Sequence, residues 1–175
     1  MPWNQIKITD NFLGHQEIID FVYDAEQYKW EFINRSNGYV FVFWVKNLFE
    51  NKKMVNFFKD KVEKETGLSL EPIKLIINGQ AYGQCGEFHT DMDVSDPREA
   101  ITAVWFPPLY DYNVNMGGHL VIQDKDDYQS ILPIPNRIVV FNSKTLHVGM
   151  EPTRFCTTMR TSVSFKCLIN EVYTS

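Results

Sequence analysis

The sequence predicts a mainly β fold in which two N-terminal helices pack against a β core. Apolar residues recur at helical spacing in the first third of the chain. From residue 70 onward, short apolar stretches are split by clusters of Gly, Pro and Asn, and no convincing helix separates them. Serial short strands of this kind indicate a sandwich or a barrel, and a jelly roll is one such solution.

The first helix is predicted within residues 10–28. Asp10 and Asn11 are candidate N-caps, because their short polar side chains can accept hydrogen bonds from the first turn of a helix. From Gln16 onward, the apolar residues follow the i, i+3/i+4 spacing that is typical of an amphipathic helix.

A hairpin and a second helix complete the first third of the chain. Within residues 30–45, aromatic and β-branched residues recur at alternating positions on both sides of the Asn37-Gly38 pair. This pattern indicates two strands joined by a tight hairpin turn. Residues 47–66 again carry apolar side chains at helical spacing. The following Gly67 is a helix stop, because glycine readily adopts the left-handed conformation of a C-cap.

The β core is predicted to contain five strands, and the whole chain, 1–175, is expected to form a single domain. A length of 175 residues is enough for one domain and too short for two ordinary ones. The helical support covers about residues 1–68 and the β core about residues 70–170. The predicted strands are 73–77, 100–106, 119–122, 137–141 and 158–167.

The charge pattern limits the expected partners. The formal net charge is -5 and the pI is about 5.3, and the lysines between residues 52 and 64 are interleaved with acidic residues. This pattern is typical of a solvated helix face, so tight binding to nucleic acid through phosphates is disfavoured. No apolar run approaches the length of a membrane span, so no membrane partner is expected.

Cysteine usage and the N-terminal residues predict a cytoplasmic protein. The three cysteines, Cys85, Cys156 and Cys167, are odd in number, and no pair has metal-ligand spacing. A reducing compartment therefore fits better than a disulfide framework. The first residues lack the apolar segment of a secretory signal, and without any sign of a eukaryotic secretory context a bacterial or viral origin is favoured.

His89, Asp91 and His147 are candidate ligands of a divalent metal ion. Side chains alternate between the two faces of a strand, so His89 and Asp91 point the same way. His147 is predicted to end the strand that carries the apolar run 138–141, which would deliver a second imidazole to the same end of the core. Two histidines and one carboxylate cap one face of an octahedral ion and leave the opposite face open, as in non-haem Fe(II) oxygenases.

The sequence leaves rivals for these positions and for the metal. Asp93 also lies in phase with His89, although Asp91 has the shortest same-face spacing. His119 is a rival third ligand, but the parity of its strand is expected to turn it outward. A catalytic zinc site remains an alternative, whereas no cysteine is placed for structural zinc. Fe(II) is preferred, because three ligands on one face leave room for a chelating co-substrate and O₂.

Together, these motifs resemble the 2-oxoglutarate and Fe(II)-dependent oxygenases, specifically the prolyl-4-hydroxylase-like branch. The resemblance covers nearly the whole chain, rests on the order and spacing of several segments, and implies a double-stranded β-helix, or jelly-roll, fold. The segments are Ile8-Thr9-Asp10-Asn11-Phe12-Leu13, Tyr82-Gly83, His89-Thr90-Asp91, Thr102-Ala103-Val104-Trp105-Phe106, Gly117-Gly118-His119-Leu120, Arg137-Ile138-Val139-Val140-Phe141-Asn142-Ser143 with His147, and Arg160-Thr161-Ser162-Val163-Ser164-Phe165.

The resemblance assigns roles to individual residues. The three metal-ligand candidates become Fe(II) ligands, and Arg160 pairs with the distal carboxylate of the co-substrate 2-oxoglutarate. A guanidinium suits this role, because it can bind a carboxylate through two parallel hydrogen bonds. Ser162, on the same strand face, would assist. Arg154 is the alternative anchor, but it lies in a turn rather than in a strand pattern.

Three further residues are assigned to the 2-oxoglutarate pocket. Tyr82 matches a tyrosine that often lines this pocket in the family, and Leu120 belongs to the matching Gly-Gly-x-Leu segment. Phe106 stands where many relatives have a tyrosine that hydrogen-bonds 2-oxoglutarate. Because phenylalanine has no hydroxyl group, one hydrogen-bond donor to 2-oxoglutarate is absent, and Arg160 is expected to contribute more to binding the co-substrate.

The implied activity is that of a 2-oxoglutarate-dependent dioxygenase that hydroxylates a prolyl or related residue in a protein or peptide. Fe(II), 2-oxoglutarate and O₂ are the expected cofactors, with ascorbate in support, and succinate and CO₂ are released. The alternatives are the same chemistry on a small molecule or nucleobase, and a β-helix module that binds without catalysis. Retention of the three metal-ligand candidates together with Arg160 argues against such a module. The oligomeric state is not indicated.

Overall fold

The protein is built from antiparallel β-sheets and α-helices in a computed structural model that describes residues 3–33 and 42–170. The strands are β1 (Lys7–Thr9), β2 (Glu31–Ile33), β3 (Phe43–Asn47), β4 (Leu70–Gln80), β5 (Ala100–Phe106), β6 (Leu120–Asp124), β7 (Asp127–Ile131), β8 (Arg137–Asn142), β9 (His147–Gly149) and β10 (Arg160–Ile169). The helices are α1 (His15–Glu26), α2 (Lys52–Thr66) and a 3-10 turn at Val114–Met116. The major sheet has the order β1-β8-β5-β10-β4-β3-β2, and the minor sheet has the order β7-β6-β9.

Strand β10 lies in the middle of the major sheet, and its two faces have different surroundings. It pairs with β4 on one side and with β5 on the other. Val163 and Phe165 lie fully buried in the hydrophobic core, whereas Ser162, Ser164 and Lys166 face a cavity. Because side chains alternate along a strand, β10 separates the core from the cavity.

Both helices begin and end at residues that satisfy free backbone groups. The side chain of Asn51 accepts a hydrogen bond from the backbone N–H of Met54 at the start of α2 (3.2 Å). The predicted stop at Gly67 is confirmed, with φ of 73° at the C-cap of α2. At the start of α1, the N–H of Gly14 donates to the carboxylate of Glu17 (2.9 Å).

Neither α1 nor α2, the α-helices of the described ranges, has the length and apolarity needed to cross a bilayer.

The prediction that Asp10 and Asn11 cap the first helix was wrong, because α1 begins only at His15. The carboxylate of Asp10 instead accepts two hydrogen bonds from the guanidinium of Arg137, at 2.6 and 2.9 Å. Asn11 adopts a left-handed backbone conformation, with φ of 56°. Asp10 therefore fastens the N-terminal segment to β8, where β1 also pairs.

The five predicted core strands are present as β4, β5, β6, β8 and β10, and their ends differ by a few residues. The hairpin predicted within residues 30–45 is present as the β2–β3 pair, with Phe32 opposite Trp44; its Asn37-Gly38 turn lies outside the described residues. Strands β1, β7 and β9 were missed. Two of them have three residues, and β7 is largely exposed, so none shows the apolar alternation that predicts a half-buried strand.

The prediction that His147 ends the strand of residues 137–141 was wrong. That strand, β8, ends at Asn142, where the N–H of Thr145 donates to the carbonyl of Asn142 (2.9 Å) and closes a turn. His147 begins β9, which belongs to the minor sheet and pairs with β6, opposite Ile122. The turn therefore carries the chain from one sheet to the other.

Phe58 of α2 joins the helices to the major sheet. Its fully buried ring lies 5.4 Å from that of Phe21 on α1, 5.8 Å from that of Trp105 on β5 and 5.6 Å from that of Phe165 on β10, measured between ring centroids. Tilted aromatic contacts of this kind add to the stabilisation from buried apolar area.

We expect Phe58→Ala to lower the free energy of unfolding by about 3–5 kcal/mol, because it leaves a cavity where three elements meet. Urea denaturation would measure the change. The matched control is Phe155→Ala, since Phe155 is 63% exposed; we expect it to change stability by no more than about 0.5 kcal/mol. Similar losses in the two variants would contradict this view of the core.

Candidate metal centre

His89, Asp91 and His147 lie side by side because the backbone around residue 90 is hydrogen-bonded across to β9. The backbones of His89 and His147 exchange two hydrogen bonds, at 3.0 and 2.9 Å. The N–H of Asp91 donates to the carbonyl of Ser143 (2.8 Å), in the turn before β9. The two imidazole centroids are 4.5 Å apart. Segments that are remote in sequence therefore converge at the end of the minor sheet.

Each imidazole turns its Nε2 atom toward the carboxylate of Asp91. Nε2 of His89 lies 3.5 Å from Oδ1, and Nε2 of His147 lies 3.6 Å from Oδ2. The candidate ligand atoms of the three residues all lie within 4.8 Å of one another. The Nδ1 atoms point away, at 2.8 Å from the carbonyl of Glu87 and 2.9 Å from that of Thr145. Because a carbonyl only accepts, each Nδ1 carries a proton, and Nε2 is the ring nitrogen that faces the carboxylate and could bind a metal ion.

The carboxylate of Asp91 is buried and charged. Its side chain is 2% exposed, Thr102 donates to Oδ2 (2.7 Å) and the Lys166 ammonium donates to Oδ1. Burial alone would raise the pKa of Asp91, but the neighbouring His89, Lys166 and His147 outweigh it and hold that pKa well below its ordinary value. Burial also lowers the pKa of His147 and keeps its imidazole neutral. Carboxylates and neutral imidazoles are the forms that bind metal ions.

The structure does not bring the rival ligands to this cluster. The carboxylate of Asp93 accepts a hydrogen bond from the N–H of Ser95 (2.8 Å) in an exposed turn. His119 Nδ1 lies 2.9 Å from the hydroxyl of Ser130 on β7. Of the histidine, cysteine and acidic side chains in the described part of the chain, only the three above form a group that could hold a metal ion.

The cluster opens into a cavity of about 180 Å³ between the two sheets. One wall is formed by β4 and β10, whose cavity-facing side chains lie opposite one another in register. These opposed pairs are Gln80 with Arg160, Asn78 with Ser162, Ile76 with Ser164, and Lys74 with Lys166. The wall therefore has Arg160 at one end, two lysines at the other and mostly polar side chains between them.

Arg160 is buried in this cavity and has no carboxylate partner among the residues that the structure describes. Its Nε donates to the carbonyl of Gly118, and its Nη1 donates to Oε1 of Gln80 and Oγ of Ser162, each at 3.0 Å. All three acceptors are neutral. Burial lowers the pKa of Arg160 to about 10, so the side chain is still charged at neutral pH. A buried charge of this kind is costly unless an anion binds beside it.

Gly118 leaves room for the guanidinium. Its φ is 74°, and a Cβ atom there would lie 3.0 Å from Cγ and 3.3 Å from Nε of Arg160. Gly149 faces the other end of the side chain, where an added Cβ would lie 3.7 Å from Nη1. Gly118 thus allows close approach of the backbone to a charged side chain.

The other predicted pocket residues divide into two groups. Ser162 and Leu120 line the cavity. Phe106 is buried beneath the arginine, with its ring centroid 5.2 Å from the guanidinium carbon. Tyr82 is not brought to the cavity: it is 65% exposed and lines a separate surface hollow, together with Arg154.

Several polar side chains of the site were missed by the sequence analysis, among them Gln80, Thr102, Lys74 and Lys166. Gln80 and Thr102 act through hydrogen bonds that span distant segments, which no local pattern predicts. A signal did exist for Lys166, because it lies on β10 in phase with Arg160 and therefore had to face the same side.

Solved structures of similar fold include two prolyl hydroxylases. The prolyl hydroxylase of Trichoplax adhaerens, in complex with a hypoxia inducible factor oxygen degradation domain peptide fragment, has a TM-score of 0.68 and 16% identity over 94% of this chain and 84% of its own. A Pseudomonas putida prolyl-4-hydroxylase has a TM-score of 0.70 and 14% identity over 96% of this chain and 94% of its own. SnoK, a non-heme alpha ketoglutarate dependent carbocyclase from nogalamycin biosynthesis, has a TM-score of 0.68 and 12% identity over 94% of this chain and 79% of its own. At these identities the likeness shows the fold, and the predicted jelly roll is confirmed.

Comparison of sequences identifies the family. No curated protein matches this chain significantly. A sequence model of the 2OG-Fe(II) oxygenase superfamily matches residues 77–165, just over half of the chain, and this range contains the metal-ligand candidates and Arg160. The predicted enzyme class, a 2-oxoglutarate-dependent dioxygenase, and its cofactors Fe(II), 2-oxoglutarate and O₂ are confirmed. The chain therefore belongs to the 2OG-Fe(II) oxygenase superfamily.

Proposed function

We propose that this enzyme hydroxylates a prolyl or related residue in a protein or peptide. One oxygen atom of O₂ enters the substrate as a hydroxyl group, and the other enters succinate as 2-oxoglutarate loses CO₂. The observation that carries the proposal is a single cavity with a two-histidine, one-carboxylate cluster and a buried arginine that lacks an anionic partner among the described residues. The neighbours named as prolyl hydroxylases support the substrate class.

The metal would be held by Nε2 of His89, Nε2 of His147 and the carboxylate of Asp91. The donor set fits a divalent cation, because two imidazole Nε2 atoms and a carboxylate turned toward one another are ligands that such ions prefer. Hydrogen bonds from Nδ1 to backbone carbonyls fix the imidazoles, and the hydroxyl of Thr102 fixes the carboxylate. When bound, Fe(II) with 2-oxoglutarate and O₂ supplies the oxidant that takes a hydrogen atom from the substrate carbon.

Arg160 would bind the distal carboxylate of 2-oxoglutarate. Gln80 and Ser162 already hold Nη1, so the guanidinium is oriented before the anion arrives and little side-chain freedom is lost on binding. Phe106 packs its ring under the guanidinium and offers no hydroxyl group, so Arg160 is left as the main anchor. A charge-assisted hydrogen bond in this buried place is stronger than one in water.

A small molecule is the second candidate substrate. The neighbour SnoK, a carbocyclase from nogalamycin biosynthesis, favours it, and so does the small volume of the cavity, about 180 Å³. Both candidates would use the same metal ligands and the same co-substrate anchor. Succinate production with and without candidate peptides and small acids separates the two.

We expect His89→Ala to reduce uncoupled turnover of 2-oxoglutarate at least about 100-fold, because loss of a direct ligand exceeds the effect of altering a ligand's hydrogen-bond partner. Succinate formed in the presence of Fe(II) and ascorbate is the readout. The matched control is His119→Ala, which removes an imidazole outside the cluster and should change turnover by no more than about twofold. Unchanged turnover in the His89 variant would refute the enzymatic proposal.

We expect Arg160→Ala to raise the 2-oxoglutarate concentration needed for half-maximal turnover by about 30-fold or more, because a buried charged partner is removed. Arg154→Ala is the control, since it removes the same charge from an exposed turn, and should shift this concentration by no more than about twofold. Equal shifts in the two variants would rule out Arg160 as the anchor.

Gly118→Ala tests the same anchor without removing its charge. Gly118 and Gly67 have φ of 74° and 73°, so alanine strains the backbone similarly at both positions. Only at position 118 would the added Cβ meet Arg160; at position 67 it meets nothing within 4 Å. We expect Gly118→Ala to raise the 2-oxoglutarate requirement about tenfold and Gly67→Ala to leave it unchanged. A similar rise in both would show that backbone strain, not the arginine, controls co-substrate binding.

A further inference from the structure

Two lysines face each other at the metal end of the cavity. Lys74 on β4 lies directly opposite Lys166 on β10, and both side chains line the cavity. Directly opposed residues on neighbouring strands have Cβ atoms roughly 5 Å apart, and like charges in such pairs destabilise a sheet. A bound anion at the metal end of the cavity would offset the repulsion between the two lysines.

Lys166 has a hydrogen-bonded partner among the described residues, whereas Lys74 does not. Lys166 donates to the carboxylate of Asp91. Lys74 is half-buried and makes no hydrogen bond or ion pair with any residue that the structure describes. Burial and the charge of Lys166 lower the pKa of Lys74 and outweigh the attraction of Asp91. The side chain of Lys74 is thus desolvated, and within the described residues no carboxylate forms an ion pair with it.

The charges of the metal and the co-substrate do not remove this imbalance. Fe(II) and fully ionised 2-oxoglutarate carry equal and opposite charges, so together they leave the balance of the lining as it is. The described lining has Arg160, Lys74 and Lys166 as cations and Asp91 as the single carboxylate. The filled cavity would therefore still attract an anion.

The co-substrate has no carboxylate left for Lys74. Arg160 and Lys166 are six residues apart on β10, and Lys74 lies opposite Lys166. With its distal carboxylate at Arg160 and its other carboxylate at the metal cluster, 2-oxoglutarate would have both of its carboxylates engaged.

We propose that the substrate carries a carboxylate close to the carbon that is hydroxylated, and that Lys74 binds this carboxylate. The inference rests on the proposed function, because it takes the metal cluster as the place of reaction. A carboxylate has two oxygens and can therefore accept from both lysines when the metal draws on Asp91. The group belongs either to a free small acid or to an acidic side chain beside the target residue of a peptide.

The test uses the protein loaded with Mn(II) and N-oxalylglycine, an unreactive analogue of 2-oxoglutarate. Two matched pairs of probes are compared: cyclopentanecarboxylate with cyclopentanecarboxamide, and N-acetyl-Pro-Asp amide with N-acetyl-Pro-Asn amide. The readout is the paramagnetic broadening of the ring protons by Mn(II). In at least one pair we expect about tenfold greater broadening for the acid, as a single charge-assisted contact would give. The pair that responds tells whether the carboxylate comes from a small acid or from a peptide.

Substitutions of Lys74 decide whether this residue is responsible. We expect Lys74→Gln to reduce the preference for the acid to about twofold or less, and Lys74→Arg to retain it. The matched control is Lys29→Gln, which removes a charge from an exposed position and should retain the full preference. Lys74→Ala also removes the charge and replaces the glutamine variant if that variant does not fold; the same loss of preference is expected.

Several results would overturn the inference. Equal broadening by acid and amide in both pairs would do so, and so would an acid preference that survives in Lys74→Gln. Loss of N-oxalylglycine binding in Lys74→Gln would assign Lys74 to the co-substrate instead. Failure of the wild-type protein to bind Mn(II) and N-oxalylglycine would contradict the proposed function itself, whereas a loaded protein without acid preference contradicts only this inference.

Discussion

An excess of positive charge in one cavity is the constraint to which the rest of this structure is fitted. Arg160, Lys74 and Lys166 share one cavity with a single carboxylate, that of Asp91, among the described lining residues. Removing charges from water costs several kcal/mol each unless they are paired. The surrounding fold must therefore supply the free energy that offsets this cost. The same charges suit the cavity to hold a dicarboxylate and a divalent ion.

The fold supplies that free energy on the opposite face of the same strand. Alternate residues of β10 leave the cavity and enter a core in which Phe58 and Phe165 join the helices to the sheet. Hydrophobic burial there stabilises the strand that carries the unfavourable charges. The same alternation fixes the spacing between Arg160 and Lys166, so the separation of co-substrate anchor and metal end follows from the strand itself. Gly118 then sets how closely the minor sheet approaches the arginine.

Local patterns predicted the strand position of Arg160, which is a period-two property. His89 and Asp91 reach the same cavity as predicted, but His89 forms an isolated bridge and Asp91 lies in a bend, so backbone hydrogen bonds to His147 and Ser143 place them. Properties that depend on non-local pairing were not predictable. The turn that moves His147 into the minor sheet, and the placement of Tyr82 away from the cavity, are set by contacts between distant segments.

The helix start shows a second limit of local patterns. A cap preference of Asp10 is worth about 1 kcal/mol, and a bidentate ion pair with Arg137 competes for the same carboxylate.

The proposed arrangement of metal and co-substrate in the cavity is tested most directly by a crystal structure of the protein with Mn(II) and N-oxalylglycine. We expect the ion at His89, Asp91 and His147, and the distal carboxylate of the analogue against Arg160. An ion bound elsewhere, or that carboxylate held by the lysines while Arg160 stays unpaired, would contradict the account.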